Sequence, residues 1–153
     1  MKVPLIYTSV GIRDWTSFQK LGLSGMSAPG AYWSSVNLNW PMKMGAYASS
    51  PRPQEPILLH LSRTPCKPGL PVREQQIAGR YEILATTFEE FERSIRDQLQ
   101  RSLSEGGFDP ARDIEAITVN RWPHGYGYEY NPLFDPQWPE GEAPNEIGRK
   151  IGR

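Results

Sequence analysis

Between Thr87 and Glu105 the chain carries its most demanding signal. Phe88, Phe91, Ile95, Leu99 and Leu103 recur every three or four residues, which lays them along one stripe of a helix. Thr87 and Glu90 form the S/T-x-x-E box in which each side chain satisfies the other residue's backbone N–H, so the helix has a defined start. Gly106-Gly107 supplies the stop. A helix with one apolar stripe has to bury it against a second layer, and the rest of the sequence offers strands to build that layer.

Lys2 to Arg13 is rich in Val, Ile and Tyr and reads as a strand, with Pro4 marking an edge or a bulge. Asp14 is placed to cap a short helix from Trp15 to Leu21, and Gly22 to Gly30 reads as a loop. From Tyr32 to Trp40 the residues alternate. Tyr32, Val36, Leu38 and Trp40 share one parity, and Ser35, Asn37 and Asn39 the other, which is the period of a half-buried strand. PILLHLSR, from Pro56 to Arg63, is a short continuous apolar run and reads as a strand buried on both faces. Thr64 to Val72 holds three prolines and reads as irregular, and Ile114 to Trp122 reads as a further strand. The expected fold is α+β: a mixed sheet of about four or five strands with one long helix, Thr87 to Glu105. Residues 1–122 are expected to form this sheet and helix, and 123–153 an aromatic, Pro-rich segment.

Composition narrows the functions. Lys+Arg and Asp+Glu both number 17, so the formal net charge is zero and a nucleic-acid partner has no electrostatic support. Zero net charge also gives little colloidal repulsion between copies. The single cysteine, Cys66, excludes an internal disulfide framework and a zinc site of the four-cysteine type. Its neighbours RTPCKPG offer only Lys67 as a base, which favours a packed or tolerated thiol over a nucleophile. No stretch reaches transmembrane length and no signal-peptide core is present, so a soluble chain is expected, with cytoplasm and periplasm both open. There is no G-x-G-x-x-G, no Walker glycine-lysine pattern and no G-x-S-x-G elbow.

Of the two histidines, His60 lies in the apolar run and reads as a core histidine bonded to a backbone carbonyl, the alternatives being a ligand or a base. His124 lies in the most unusual segment, NRWPHGYGYEYNP, Asn120 to Pro132. This packs Trp122, Tyr126, Tyr128 and Tyr130 together with Arg121 and His124 directly after a strand. Two readings stand: rings filling a gap between domains, or a wall around a flat cofactor or a cationic amine. Glu129, Asp135, Glu140 and Glu142 lie nearby as a solvated rim or as acidic partners for a polyamine.

The order of MKVPLIYTSV, RTPCKPGLP, TFEEFERSIRDQL and GGFDPARDIEAITVNRWPHGYGYEYNPL resembles that in spermidine-dehydrogenase-like flavoproteins. Bacterial members are often labelled simply NAD(P)-binding or FAD-dependent. The resemblance covers nearly the whole chain and implies the substrate-domain side of an amine-oxidase-type fold, without the family's dinucleotide-binding Rossmann part. It implies FAD as cofactor, held mainly by remaining flavoprotein domains, and a small-molecule amine as substrate, such as spermidine. Flavin would take a hydride from the carbon beside the amine nitrogen, and the imine would hydrolyse to an amine and an aldehyde. In this frame the chain is a piece of a longer protein, inactive alone; the alternative is a non-catalytic interaction module or a fragment without independent activity.

The resemblance also implies site residues. Lys2 matches the lysine that holds a water against the flavin, and Arg121, Trp122 and His124 are implied to approach the cofactor. Tyr126, Tyr128, Tyr130 and Glu129 are implied to face the substrate amine. Strand alternation sends Arg121 and Trp122 to opposite faces, so at most one of them can point at the flavin. No metal site is expected, and two histidines with no C-x-x-C-H give no haem-attachment signal.

Overall fold

The computed structural model describes residues 3–39, 43–48, 52–126 and 136–151. The long helix forms as its pattern requires, as α3 (Phe88–Leu103), and its capping box is complete. Thr87 Oγ1 accepts from the Glu90 N–H at 3.3 Å, and Glu90 accepts from the Thr87 N–H at 2.7 Å. These backbone and hydroxyl donors hold the Glu90 carboxyl below its usual pKa.

The layer beneath α3 is a five-stranded sheet. Its strands are β1 (Val3–Ile12), β2 (Gly25–Ser27), β3 (Ser35–Leu38), β6 (Ile57–Arg63) and β7 (Ile114–Tyr126), in the order β2-β3-β6-β1-β7. A separate two-stranded ribbon joins β4 (Lys43–Met44) to β5 (Tyr47–Ala48) through Gly45, whose φ of 60° only glycine adopts without strain. Every pairing in the larger sheet is antiparallel. The expected α+β class is therefore found, but among the described residues the sheet is antiparallel rather than mixed.

Register sorts the side chains cleanly. Ile6, Thr8, Val10 and Ile12 of β1 stand opposite Arg63, Leu61, Leu59 and Ile57 of β6, and this parity faces the helices. Ile6, Val10, Leu59, Leu61 and Val36 are fully buried there, against Phe91, Ile95, Leu99 and Leu103 of α3 and Phe18 of α1 (Thr16–Leu21). Asp14 is not the N-cap of α1: the helix starts one residue later than expected, with Trp15 at the cap position and no side-chain cap there, and Asp14 instead binds the first helical residue. Its Oδ1 accepts from the Thr16 N–H at 3.0 Å and from the Thr16 hydroxyl.

Two parts of the core escaped the sequence reading. One is a second long helix, α2 (Val72–Ala85), which makes the expected single helix a pair. It packs close: a Cβ on Gly79 would lie 2.1 Å from the Pro65 carbonyl oxygen and 2.9 Å from Pro4 Cγ, so no larger residue fits there. The other is Trp33, the largest fully buried side chain, which sits on the parity opposite to that of Val36 and just before β3. The Gln98 side chain holds it through both backbone groups. Trp33 N–H donates to Gln98 Oε1 at 3.0 Å, and Gln98 Nε2 donates to the Trp33 carbonyl at 2.8 Å. Trp33 Nε1 donates in turn to Ser94 Oγ.

The run PILLHLSR is not buried on both faces. Leu59 and Leu61 are enclosed, while Leu58 and His60 are exposed, because helices cover only one side of β6. His60 accordingly is not a core histidine; its Nε2 lies 3.3 Å from Asn39 Oδ1 at the surface. Cys66 is also exposed rather than packed. Strand β7 runs past Trp122 to Tyr126, across the expected boundary at residue 123, and short helices α4 (Pro110–Asp113) and α5 (Pro144–Ile151) complete the described chain. No described helix is long and apolar enough to cross a membrane.

Candidate functional site: the open face of the sheet

The second face of the sheet has no layer over it among the described residues. Its positions follow from the pairing: Tyr7, Ser9 and Gly11 of β1 stand opposite Ser62, His60 and Leu58 of β6, and opposite Asn120, Thr118 and Ala116 of β7. Ser35 and Asn37 continue these rows into β3 opposite Ser62 and His60, and Ser27 and Gly25 continue them into β2. No Asp, Glu, Lys or Arg occupies any of these positions, although 22% of the chain is charged. Helix α3 shows where the charges went: its outer side carries Glu89, Arg93, Asp97 and Arg101. A solvated face normally collects charge, so a neutral one lined with hydroxyl, amide and small side chains is chemically distinct.

At one end this face becomes aromatic. Trp122, opposite Leu5, is 54% exposed, and Tyr126, opposite Val3, is 52% exposed. Between those pairings β7 carries two more residues than β1, so Pro123, His124 and Gly125 bulge out of the ladder. The space at Gly125 is tight, since a Cβ would press to 3.1 Å on both Leu5 Cβ and the Val3 carbonyl oxygen. The bulge aims Tyr126 back across β1, and its hydroxyl lies 2.8 Å from that of Tyr7. This hydrogen bond, with burial second, raises the Tyr7 pKa, so the phenol stays neutral in ordinary buffers. A second hydroxyl pair, Ser35 and Ser62 at 2.6 Å, lies along the same row.

The residues singled out by sequence divide here. Trp122 and Tyr126 are both exposed at the same end of β7, on either side of the bulge, and His124 is exposed within it. Arg121 goes to the helix side, as alternation demands. Its Nη1 donates to the carbonyls of Ile83 at 3.4 Å and Thr86 at 3.2 Å, and its guanidinium lies 5.6 Å from the centre of the Phe91 ring. There it caps the C-terminal carbonyls of α2, where a cation is favourable. Lys2, Tyr128, Glu129 and Tyr130 lie outside the described residues. Tyr7 was missed by the sequence reading. Its signal was a tyrosine on the parity of Ser9 and Gly11, opposite to that of Ile6 and Val10.

The fit to a flat aromatic group can be tested on this surface. Gly11, flanked by Leu58 and Ala116, forms a low row: a Cβ on Gly11 would find only ordinary contacts, the nearest at 3.6 Å from Ala116. A planar group can lie close to such a surface, but this low row is six residues along β1 from Leu5, the residue opposite Trp122, about 20 Å at ~3.3 Å per residue, so it and the rings are separate parts of the face. No group of three or more His, Cys, Asp or Glu positioned for a metal ion occurs among the described residues. Neither protein-family models nor curated proteins give a match to this chain.

Proposed function

We propose that this chain is the substrate-domain sheet of an FAD-dependent oxidoreductase that oxidises an amine, in the manner of spermidine dehydrogenases. The observation that supports this reading most is the uncharged open face ending in Tyr7, Trp122 and Tyr126. Beside it stands the order of sequence blocks from MKVPLIYTSV to NRWPHGYGYEYNPL. Bound FAD, held mainly by other domains, would supply the oxidising power by accepting a hydride from the carbon next to the amine nitrogen. The chain's own part is to present an uncharged floor of hydroxyl, amide and small side chains, and rings that attract a cationic or neutral amine through their faces. Removing charge from that floor favours the deprotonated amine, the form that can release a hydride. Trp122, Tyr126 and His124 stand on the side where substrate and cofactor would lie, whereas Arg121 is reserved for α2.

The test uses the protein together with the coding sequence on either side of this segment. The expected result is bound FAD whose visible absorbance bleaches when spermidine is added without oxygen. Replacing Tyr126 with Ala should raise KM for the amine at least several-fold while leaving the bound FAD in place. Glu129→Gln should raise KM for a polycationic amine in particular. A protein without FAD, or a flavin that no amine reduces, would refute the proposal.

A further inference from the structure

Helix α2 adds little to the core for its length: of its fourteen residues only Gly79 and Ile83 are buried. What it does touch is the end of the sheet that carries the rings. Gly79 is pressed against Pro4 of β1 and the Pro65 carbonyl, with no room for a Cβ. The next residue, Arg80, reaches β7, where its Nε–H donates to the Pro123 carbonyl at 3.0 Å. Arg121, just before the bulge, reaches the other way and donates to the Ile83 and Thr86 carbonyls at the C-terminal end of the helix.

Ladder chemistry explains why the bulge needs a hold from outside the sheet. Pro123 has no N–H, and neither has Pro4, the single β1 residue between the Val3–Tyr126 and Leu5–Trp122 pairings. Both strands therefore lose a donor at the same point. The Pro123 carbonyl takes its hydrogen bond from Arg80 instead, and a charged donor makes the stronger kind of bond. The phenols do not fix this geometry themselves. Tyr7 is 41% and Tyr126 52% exposed, and a hydrogen bond between neutral, hydrated hydroxyls contributes little.

We infer that Arg80 is a positioning residue for the aromatic end of the open face: it fixes the β7 bulge through the Pro123 carbonyl and so holds Tyr126 within hydrogen-bond reach of Tyr7. The placement of the rings follows from these contacts alone, whereas its consequence for amine binding rests on the function proposed above. In that reading Arg80 acts from the helix layer, through the bulge, on how well the rings receive the amine. Its loss raises KM for the amine several-fold and leaves kcat and the bound FAD nearly unchanged.

The test reads the rings directly, by NMR of the purified chain. Wild type should show cross-relaxation between the Tyr7 and Tyr126 rings, whose hydroxyls lie 2.8 Å apart, with the signals assigned through Tyr7→Phe. Arg80→Met keeps the aliphatic stem and drops the donors; it should abolish these cross-peaks with an unchanged circular dichroism spectrum, and Arg80→Lys should restore part of them. In wild type, the Arg80 Nε–H should exchange with water more slowly than that of free arginine, a measurement that stands even if Arg80→Met fails to fold. A folded Arg80→Met chain that keeps the cross-peaks would overturn the inference, as would a wild type that lacks them or an Arg80 Nε–H that exchanges as freely as in the amino acid. In the flavoprotein with its flanking sequence, Arg80→Met should raise KM for spermidine and spare kcat. Lost cross-peaks with an unchanged KM would remove the rings from the amine site, which is a failure of the proposed function and not of the positioning.

Discussion

The two faces of the sheet are built from the same strands, residue by residue in alternation, yet they obey different rules. Toward the helices, Ile6, Val10, Leu59 and Leu61 are sealed under α3, and even the polar Gln98 is spent on holding Trp33 in place. Toward the other side, the neighbours of those residues are Tyr7, Ser9, Leu58 and His60, and no charge appears on the paired positions around them. One face is optimised for packing. The other is kept neutral and open, which stability does not require, and so it is the face on which a functional reading rests.

Mutations separate the two faces by size of effect. On the covered side, Phe91→Ala removes a fully buried ring from the centre of the Tyr32, Trp33 and Phe91 cluster. It should cost about 3–5 kcal/mol in unfolding free energy by denaturant titration. Gln98→Ala strands the Trp33 N–H and carbonyl away from water and should cost about 1–3 kcal/mol, with the indole fluorescence of the folded state shifted.

Between the faces, Asp113 gives a pH handle. The hydrogen bond from Arg112 is the main cause of its lowered pKa, and the Asp109 N–H at 2.8 Å adds to it. A depressed carboxyl stabilises the fold above its unfolded pKa of about 3.9, and that contribution is lost as pH falls through the lower folded value. Thermal melts from neutral pH to below 4 should therefore show a steeper acid loss for the wild type than for Asp113→Asn. The smallest effect belongs to the open face: Trp122→Ala should change stability by no more than about 0.5 kcal/mol, because its ring is half exposed. A large loss at Trp122 would erase the contrast between the faces.

How much of this was legible in the sequence depended on whether a signal was local. The capping box and stripe of α3 are complete within nineteen residues, and the helix formed almost as read. Helix α2 was hidden because its apolar residues do not form one face: Ile83 is buried while Tyr81 and Leu84 point outward. For PILLHLSR, periodicity cannot tell a strand buried on both faces from one whose second face awaits a cover, since both read as a continuous apolar run. Trp33 was invisible for a related reason: it precedes β3 and is recruited by Gln98, 65 residues away. At the candidate site, Trp122 and Tyr126 were legible as an aromatic cluster. Tyr7 was not, because its partner Tyr126 lies 119 residues further on and is brought to it by the bulge that precedes it.

The most direct test of the account is anaerobic titration with spermidine of the protein that contains this segment and its flanking sequence, monitored through flavin absorbance. The account predicts stoichiometric FAD that is bleached by the amine, with Tyr126→Ala demanding far more amine for the same bleaching. A preparation that carries no flavin, or one whose flavin stays oxidised with every amine offered, would contradict it.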